Sequence, residues 1–83
     1  MVKLINVKCE GEIASCNFYY EADDMSPEDA GFLLVDREKV LEYIPMKGYE
    51  PEDYCSGKEH AVDYLFETFD METVPETKVI YWY

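Results

Sequence analysis

The first twenty residues alternate between apolar and polar side chains, the period of two that is typical of β-strands. Residues 2–9 form one such run and residues 13–20 form another. Glu10-Gly11-Glu12 lies between the two runs and has the composition of a tight turn. The pattern therefore predicts an antiparallel hairpin at the start of the chain.

The same alternation assigns the side chains of this hairpin to two faces. In the first strand it places Ile5, Val7 and Cys9 on one face, with Val2 and Leu4 partly covering the other. In the second strand, the predicted inward residues are Ala14, Cys16, Phe18 and Tyr20, and the predicted outward residues are Ser15, Asn17 and Tyr19.

Residues 27–44 fit either a helix or a hairpin. Ser26, Pro27 and the acids that follow are typical of a helix start. A single helix over 27–44 would place Arg37 on its apolar stripe, whereas a hairpin would use residues 36–39 as a charged turn and bury the apolar runs on both sides. We therefore predict the hairpin. Residues 23–31 then become an acidic loop that can contain one helical turn.

A later segment has the clearest helical pattern. Gly48 and Pro51 indicate a loop over residues 46–55. Ser56-Gly57-Lys58-Glu59 matches a capping box, with Ser56 as the N-cap and Glu59 at the third helical position. The apolar residues that follow have helical spacing and predict one buried stripe, made of Val62, Leu65, Phe66 and Phe69.

The last six residues, 78–83, are rich in residue types that favour strands. The predicted element order is therefore β-β-β-β-α-β. We expect a single α+β domain over residues 1–83, with a mostly antiparallel sheet and one amphipathic helix packed on one face. Alternation would place Tyr81 and Tyr83 on one side of the sheet and Trp82 on the other. A homodimer or partner contact through a tyrosine-rich sheet face is one function that this pattern suggests.

Composition narrows the function classes. The 83 residues carry 19 acids and 7 bases, a formal net charge of −12. We expect no direct binding to nucleic acid or to an anionic membrane surface, because such binding requires basic patches. The N-terminus lacks the apolar stretch of a signal peptide and no run is long enough for a membrane span, so we expect a cytoplasmic protein.

The acids are concentrated in two places. Residues 9–36 contain no base and include the predicted loop acids Asp23, Asp24, Glu28 and Asp29. On the predicted helix, Glu59, Asp63, Glu67 and Asp70 fall within an arc of roughly 80°, beside the apolar stripe. An acidic surface can simply keep a small protein soluble. It can also bind a protein that has a basic surface, and these residues are our candidate contact sites together with Tyr81 and Tyr83.

Carboxylates one helical turn apart lie about 5–6 Å from each other, close to the spacing of phosphates along a nucleic-acid strand. In size, charge and predicted layout the chain resembles phage proteins that mimic DNA, such as the uracil-DNA glycosylase inhibitor and some anti-CRISPR proteins. This resemblance is one of composition, and no shared motif carries it. It implies a narrower hypothesis, an inhibitor that occupies the DNA-binding groove of another protein.

Catalytic chemistry has little support in the sequence. The three cysteines, Cys9, Cys16 and Cys55, are too few and too widely spaced for a disulfide framework. Cys55 and His60, with Asp53 nearby, could form a metal site or a thiolate–imidazolium pair, although no Cys-x-x-Cys pair is present. No Gly-rich phosphate loop or EF-hand pattern occurs. We therefore expect a non-enzymatic protein without a cofactor, which acts through protein–protein contact.

Overall fold

Within the residues that the computed structural model describes, 1–82, a five-stranded antiparallel sheet carries one α-helix on one face. The elements in chain order are β1 (Val2–Glu10), β2 (Ile13–Tyr19), β3 (Gly31–Val35), β4 (Val40–Ile44), α1 (Ser56–Thr68) and β5 (Lys78–Ile80). Their spatial order in the sheet is β4-β3-β2-β1-β5. The predicted α+β class, the element order and the antiparallel sheet are confirmed. The described chain contains no helix that is both long and apolar enough to cross a membrane.

Both predicted hairpins form, and local chemistry explains their turns. Gly11 opens the β1–β2 turn with a φ of +61°, a conformation that favours glycine. In the β3–β4 turn, the Asp36 carboxylate accepts hydrogen bonds from the backbone N–H groups of Glu38 and Lys39, at 2.7 and 2.8 Å. These hydrogen bonds hold the pKa of Asp36 below its ordinary value. The alternative of one helix over 27–44 is thus wrong.

The face assignment predicted for β1 is wrong because the strand contains a bulge. The register shifts between Ile5 and Lys8, and Asn6 adopts a φ of 55°. The bulge adds one residue, so it reverses the alternation. Val7 therefore shares the helix-covered face with Val2 and Leu4, and all three are buried.

Tyr19 points to the face opposite that of Phe18, as predicted, where it lies opposite Lys3, but it is buried there, with only 4% of its surface exposed. The predicted inward residues of β2 that precede it, Ala14, Cys16 and Phe18, are buried as expected.

Helix α1 begins one residue earlier than the capping box predicts. Its N-cap is Cys55, whose Sγ accepts a hydrogen bond from the backbone N–H of Lys58 at 3.4 Å. The capping box of Ser56 and Glu59 is therefore wrong. The sulfur performs the role that a hydroxyl or carboxylate oxygen usually has at this position.

The buried stripe of α1 is also rotated relative to the prediction. Leu65 is fully buried as expected, whereas Val62, Phe66 and Phe69 are only half-buried. The residues that face the sheet are instead Gly57, Ala61, Tyr64, Leu65 and Thr68. Small residues let the helix approach the sheet closely, and the larger apolar residues then seal its flank.

The last strand is shorter than predicted. Strand β5 ends at Ile80 and pairs with β1, with Val79 opposite Lys3. Tyr81 lies beyond the strand and is 71% exposed. Trp82 also lies beyond the strand, and its ring stacks on His60 of α1 at a centroid distance of 4.3 Å, so it lies on the helix-covered side. Tyr83 lies outside the described residues.

Candidate functional site

The outer side of α1 carries a row of exposed carboxylates. Glu59, Asp63 and Glu67, which we call the acidic ridge, follow one another at intervals of four residues, about 6 Å of helix rise. Asp70 is exposed as well, but it lies in the turn after the helix, where its N–H donates to the carbonyl of Glu67 at 3.1 Å. The prediction that Asp70 belongs to the helix is therefore wrong by two residues.

The ridge carboxylates have no ionic partner within 4.0 Å among residues 1–82. The ion pairs of the described chain join Lys3 to Glu21, Arg37 to Glu12 and Lys47 to Asp29.

Two lysines flank the ridge, but each packs on an aromatic ring. The Nζ of Lys58 lies 4.3 Å from the ring centroid of Tyr43, and the Nζ of Lys78 lies 5.7 Å from that of Tyr64. Each lysine helps to line a shallow groove beside the helix, of about 360 Å³ on the β4 side and about 300 Å³ on the β5 side. The ridge carboxylates therefore lie between two grooves, and the lysine that lines each groove packs on a tyrosine ring.

The predicted acidic loop, residues 23–31, contains one single turn of 3-10 helix, Pro27–Asp29, and a second turn, Glu21–Asp23, leads into it. One of its candidate residues has a structural role, since the Asp29 carboxylate accepts from the backbone N–H of Ser26 at 3.0 Å and lies 3.9 Å from Lys47. The other three candidates are exposed, namely Asp23, Asp24 and Glu28.

The acidic loop lies at the same end of the fold as the start of the ridge. Antiparallel pairing brings the end of β2, the start of β3 and the end of β4 to one end of the sheet. The pKa of Tyr49 is raised by burial first, and then by the nearby Cys55 and Asp23. The N–H of Asp23 also donates to the carbonyl of Tyr20 at 3.2 Å, and the Tyr20 hydroxyl accepts from the N–H of Gly57 in the first turn of α1, so Tyr20 connects the acidic loop to the start of the ridge.

A cluster of aromatic residues fixes the start of the ridge. The Tyr20 hydroxyl accepts from the backbone N–H of Gly57 at 2.8 Å and lies 3.3 Å from the Sγ of Cys55. Its ring packs near Tyr49 and Trp82, at centroid distances of 6.2 and 6.3 Å. Burial is the main cause that raises the pKa of Tyr20. Sequence reasoning missed this role, because alternation showed only that Tyr20 points inward.

We expect Tyr20→Phe to lower the free energy of unfolding by about 1–2 kcal/mol, because the N–H of Gly57 loses its acceptor. Equilibrium urea unfolding measures the loss. Tyr49→Phe is the matched control, since it removes a hydroxyl from the neighbouring ring and leaves the hydrogen bond to Gly57 intact. Equal losses in the two variants would contradict the role given to Tyr20.

The residues considered for metal or thiol chemistry have other contacts. Cys55 is buried as the helix cap, and the ring of His60 stacks on Trp82. In the described part of the chain, no group of three or more His, Cys, Asp or Glu side chains could hold a metal ion. Cys9, Cys16 and Cys55 are free thiols, and burial raises the pKa of Cys16 to about 12.

The sheet face opposite α1, which we call the open face, carries one tyrosine among the strand residues that the structure describes. Tyr19 lies opposite Lys3 on this face and is buried, Tyr43 lies on the helix side opposite Leu33, and Tyr81 lies past the end of β5. The exposed apolar residues of the open face are Ile13 and Ile44, with the half-buried Phe32 and Leu34 beside them. A partner contact through Tyr81, which is 71% exposed, stays a prediction.

Comparison of the chain with protein-family models, with curated proteins and with solved structures finds no match. Function is therefore argued from the two surfaces just described, the acidic ridge and the open face.

Proposed function

We propose that this protein is a non-enzymatic binding protein whose acidic ridge engages a basic surface on a partner protein. The observation that carries the proposal is the row formed by Glu59, Asp63 and Glu67, exposed along one helix and without an ionic partner within 4.0 Å among residues 1–82.

The arrangement costs stability in the free protein. Acids of like charge four residues apart on a helix repel each other by a few tenths of a kcal/mol per pair. The two flanking cations offset this repulsion only in part, because Lys58 and Lys78 pack on tyrosine rings and form no ion pair with the ridge within 4.0 Å. A basic partner would supply the missing charge, and its attraction would also accelerate the encounter. The adjoining residues Asp23, Asp24 and Glu28 would extend the contact.

A narrower form of the proposal is that the ridge mimics a nucleic-acid strand. Its carboxylates recur about every 6 Å along a straight helix, a spacing close to that of phosphates. The partner would then be a DNA-binding protein, and the ridge would occupy its binding groove. Double-stranded DNA should compete with this protein for such a partner, whereas it should not compete if the basic surface of the partner has another role.

We expect Asp63→Lys combined with Glu67→Lys to abolish partner binding, because the double reversal places two cations against a basic surface. The partner is first captured from the native host by the wild-type protein, and its affinity is then measured by titration at several salt concentrations. Binding should weaken steeply as salt rises.

Glu38→Lys combined with Glu72→Lys is the matched control. It changes the net charge by the same amount through exposed residues that lie outside α1. If both double variants lose affinity equally, net charge alone explains the binding and the ridge is not the contact.

A second candidate function is that of a metal or thiol centre formed by Cys55 and His60. Zinc bound at one equivalent and lost in Cys55→Ser would support it, and elemental analysis of the purified protein gives the answer. The position of Cys55 as a buried helix cap favours the structural role instead.

A further inference from the structure

The open face carries its side chains in rows that cross four strands. Strand register places Glu42 opposite Leu34, Leu34 opposite Ser15 and Ser15 opposite Lys8. This first row therefore begins with an acid on β4, continues through an apolar and a small polar residue, and ends with a base on β1.

The next row on the same face is apolar at both ends. Register places Ile44 opposite Phe32, Phe32 opposite Asn17 and Asn17 opposite Ile5. Asn17 is held in place by two hydrogen bonds, one from Asn6 at 3.0 Å and one that it donates to the carbonyl of Gly31 at 3.1 Å. The apolar side chains of this row thus flank a fixed polar pair.

The open face differs from the rest of the molecule in charge. The charged strand residues that point to it are Lys3, Lys8, Glu10 and Glu42, two of each sign. The net charge of −12 is therefore carried elsewhere, including the acidic ridge on the opposite side of the sheet. Two copies of this acidic chain can approach each other through the open face with the least electrostatic repulsion.

We propose that the open face binds the open face of a second copy, related by a two-fold axis parallel to the strands. This axis lies between the two sheets, over the gap between β2 and β3. Each row therefore packs against the same row of the other copy, in the opposite strand order. Glu42 of one copy then meets Lys8 of the other, twice, and Ile44 meets Ile5. Leu34 and Phe32 lie near the axis and supply the apolar centre that interfaces between sheets require.

The arrangement also places the two acidic ridges on the outer sides of the dimer. Both sheets, packed about 10 Å apart, lie between the ridges, which are therefore separated by more than the Debye length of about 8 Å at physiological salt. The dimer leaves both ridges free to bind partners. It does not depend on the function proposed above, because the two surfaces share no residue.

The test is a charge swap measured by sedimentation equilibrium. The wild-type protein should form dimers below about 1 mM, the concentration range in which a specific contact is detectable. We expect Glu42→Lys and Lys8→Glu each to weaken the dimer about tenfold, since each change turns two attractive pairs into repulsive pairs. The combined variant restores opposite charges at both pairs, so it should recover the wild-type dissociation constant.

Two further variants keep the result interpretable. Phe32→Asp should abolish the dimer, because it places a charge at the apolar centre, and circular dichroism confirms that the variant is folded. Glu52→Lys, in the loop that precedes α1, is the control and should leave the dimer unchanged. A wild-type protein that is monomeric at about 1 mM, or a combined variant no better than either single variant, would overturn the proposal.

Asp63→Lys with Glu67→Lys should not affect the dimer, so failure of one proposal is distinguishable from failure of the other.

Discussion

Phe18→Ala is expected to lower the free energy of unfolding by about 3–5 kcal/mol, the cost of removing a fully buried aromatic ring. A chain of this length has a total stability of about 4–12 kcal/mol, so the variant loses a large part of it. Phe18 has no exposed surface, and its ring stacks on that of Tyr43 at a centroid distance of 6.2 Å. Equilibrium urea unfolding, followed by far-UV circular dichroism, measures the loss.

Phe32→Ala is the matched control for this prediction. The two phenylalanines lie on adjacent strands, but Phe32 pairs with Asn17 on the open face and is only half-buried. Its loss should stay well below that of Phe18→Ala, at about 1–2 kcal/mol, when the measurement is made at low protein concentration, where a dimer would dissociate. Similar losses in the two variants would show that the core does not lie between the sheet and α1.

The elements of this fold could be predicted from the sequence because their patterns are local. Alternation with a period of two identified β1 and β2, and the charged turn at residues 36–39 separated β3 from β4. The helical spacing of its apolar residues identified α1, although the structure buries a different set of them than the prediction did. Each of these signals depends on residues within one element, and tertiary packing did not change the type of any element.

The errors arose where a single residue changes the geometry of its neighbours. The bulge at Asn6 reverses the face of Val7, and no local signal in the sequence marked it. Cys55 caps α1 in place of Ser56 because its sulfur also contacts Tyr20, a residue 35 positions earlier in the chain. Contacts between distant residues determine such details, so the periodicity of one segment cannot predict them.

The two candidate surfaces also differ in how far the sequence alone can predict them. The acidic ridge could be predicted because helical spacing alone brings Glu59, Asp63 and Glu67 to one side. The charge row of the open face depends on the register of four strands, which places Glu42 and Lys8 in one line. Register is set by turns and bulges together, and a shift of one residue would send these side chains to the opposite face.

Gly31→Ala tests how closely β4 approaches the core at the start of β3. A Cβ at this position would lie 2.5 Å from the carbonyl oxygen of Ile44 and 2.9 Å from the ring of Phe18. The first contact is with backbone, so the strands must shift to relieve it. We expect a loss of about 1–3 kcal/mol in the free energy of unfolding, or more, because overpacking in a small core is poorly relieved.

The control for Gly31→Ala separates close packing from backbone conformation. Gly11→Ala adds a Cβ that meets no atom within 4 Å, although the φ of +61° at Gly11 itself costs an alanine about 1–2 kcal/mol. A double-mutant cycle then identifies the steric part. Phe18→Leu should cost less in the Gly31→Ala background than in the wild type, because the smaller side chain removes one of the two close contacts. In the Gly11→Ala background the cost of Phe18→Leu should be unchanged, and coupling of equal size at both glycines would contradict a direct contact between Phe18 and position 31.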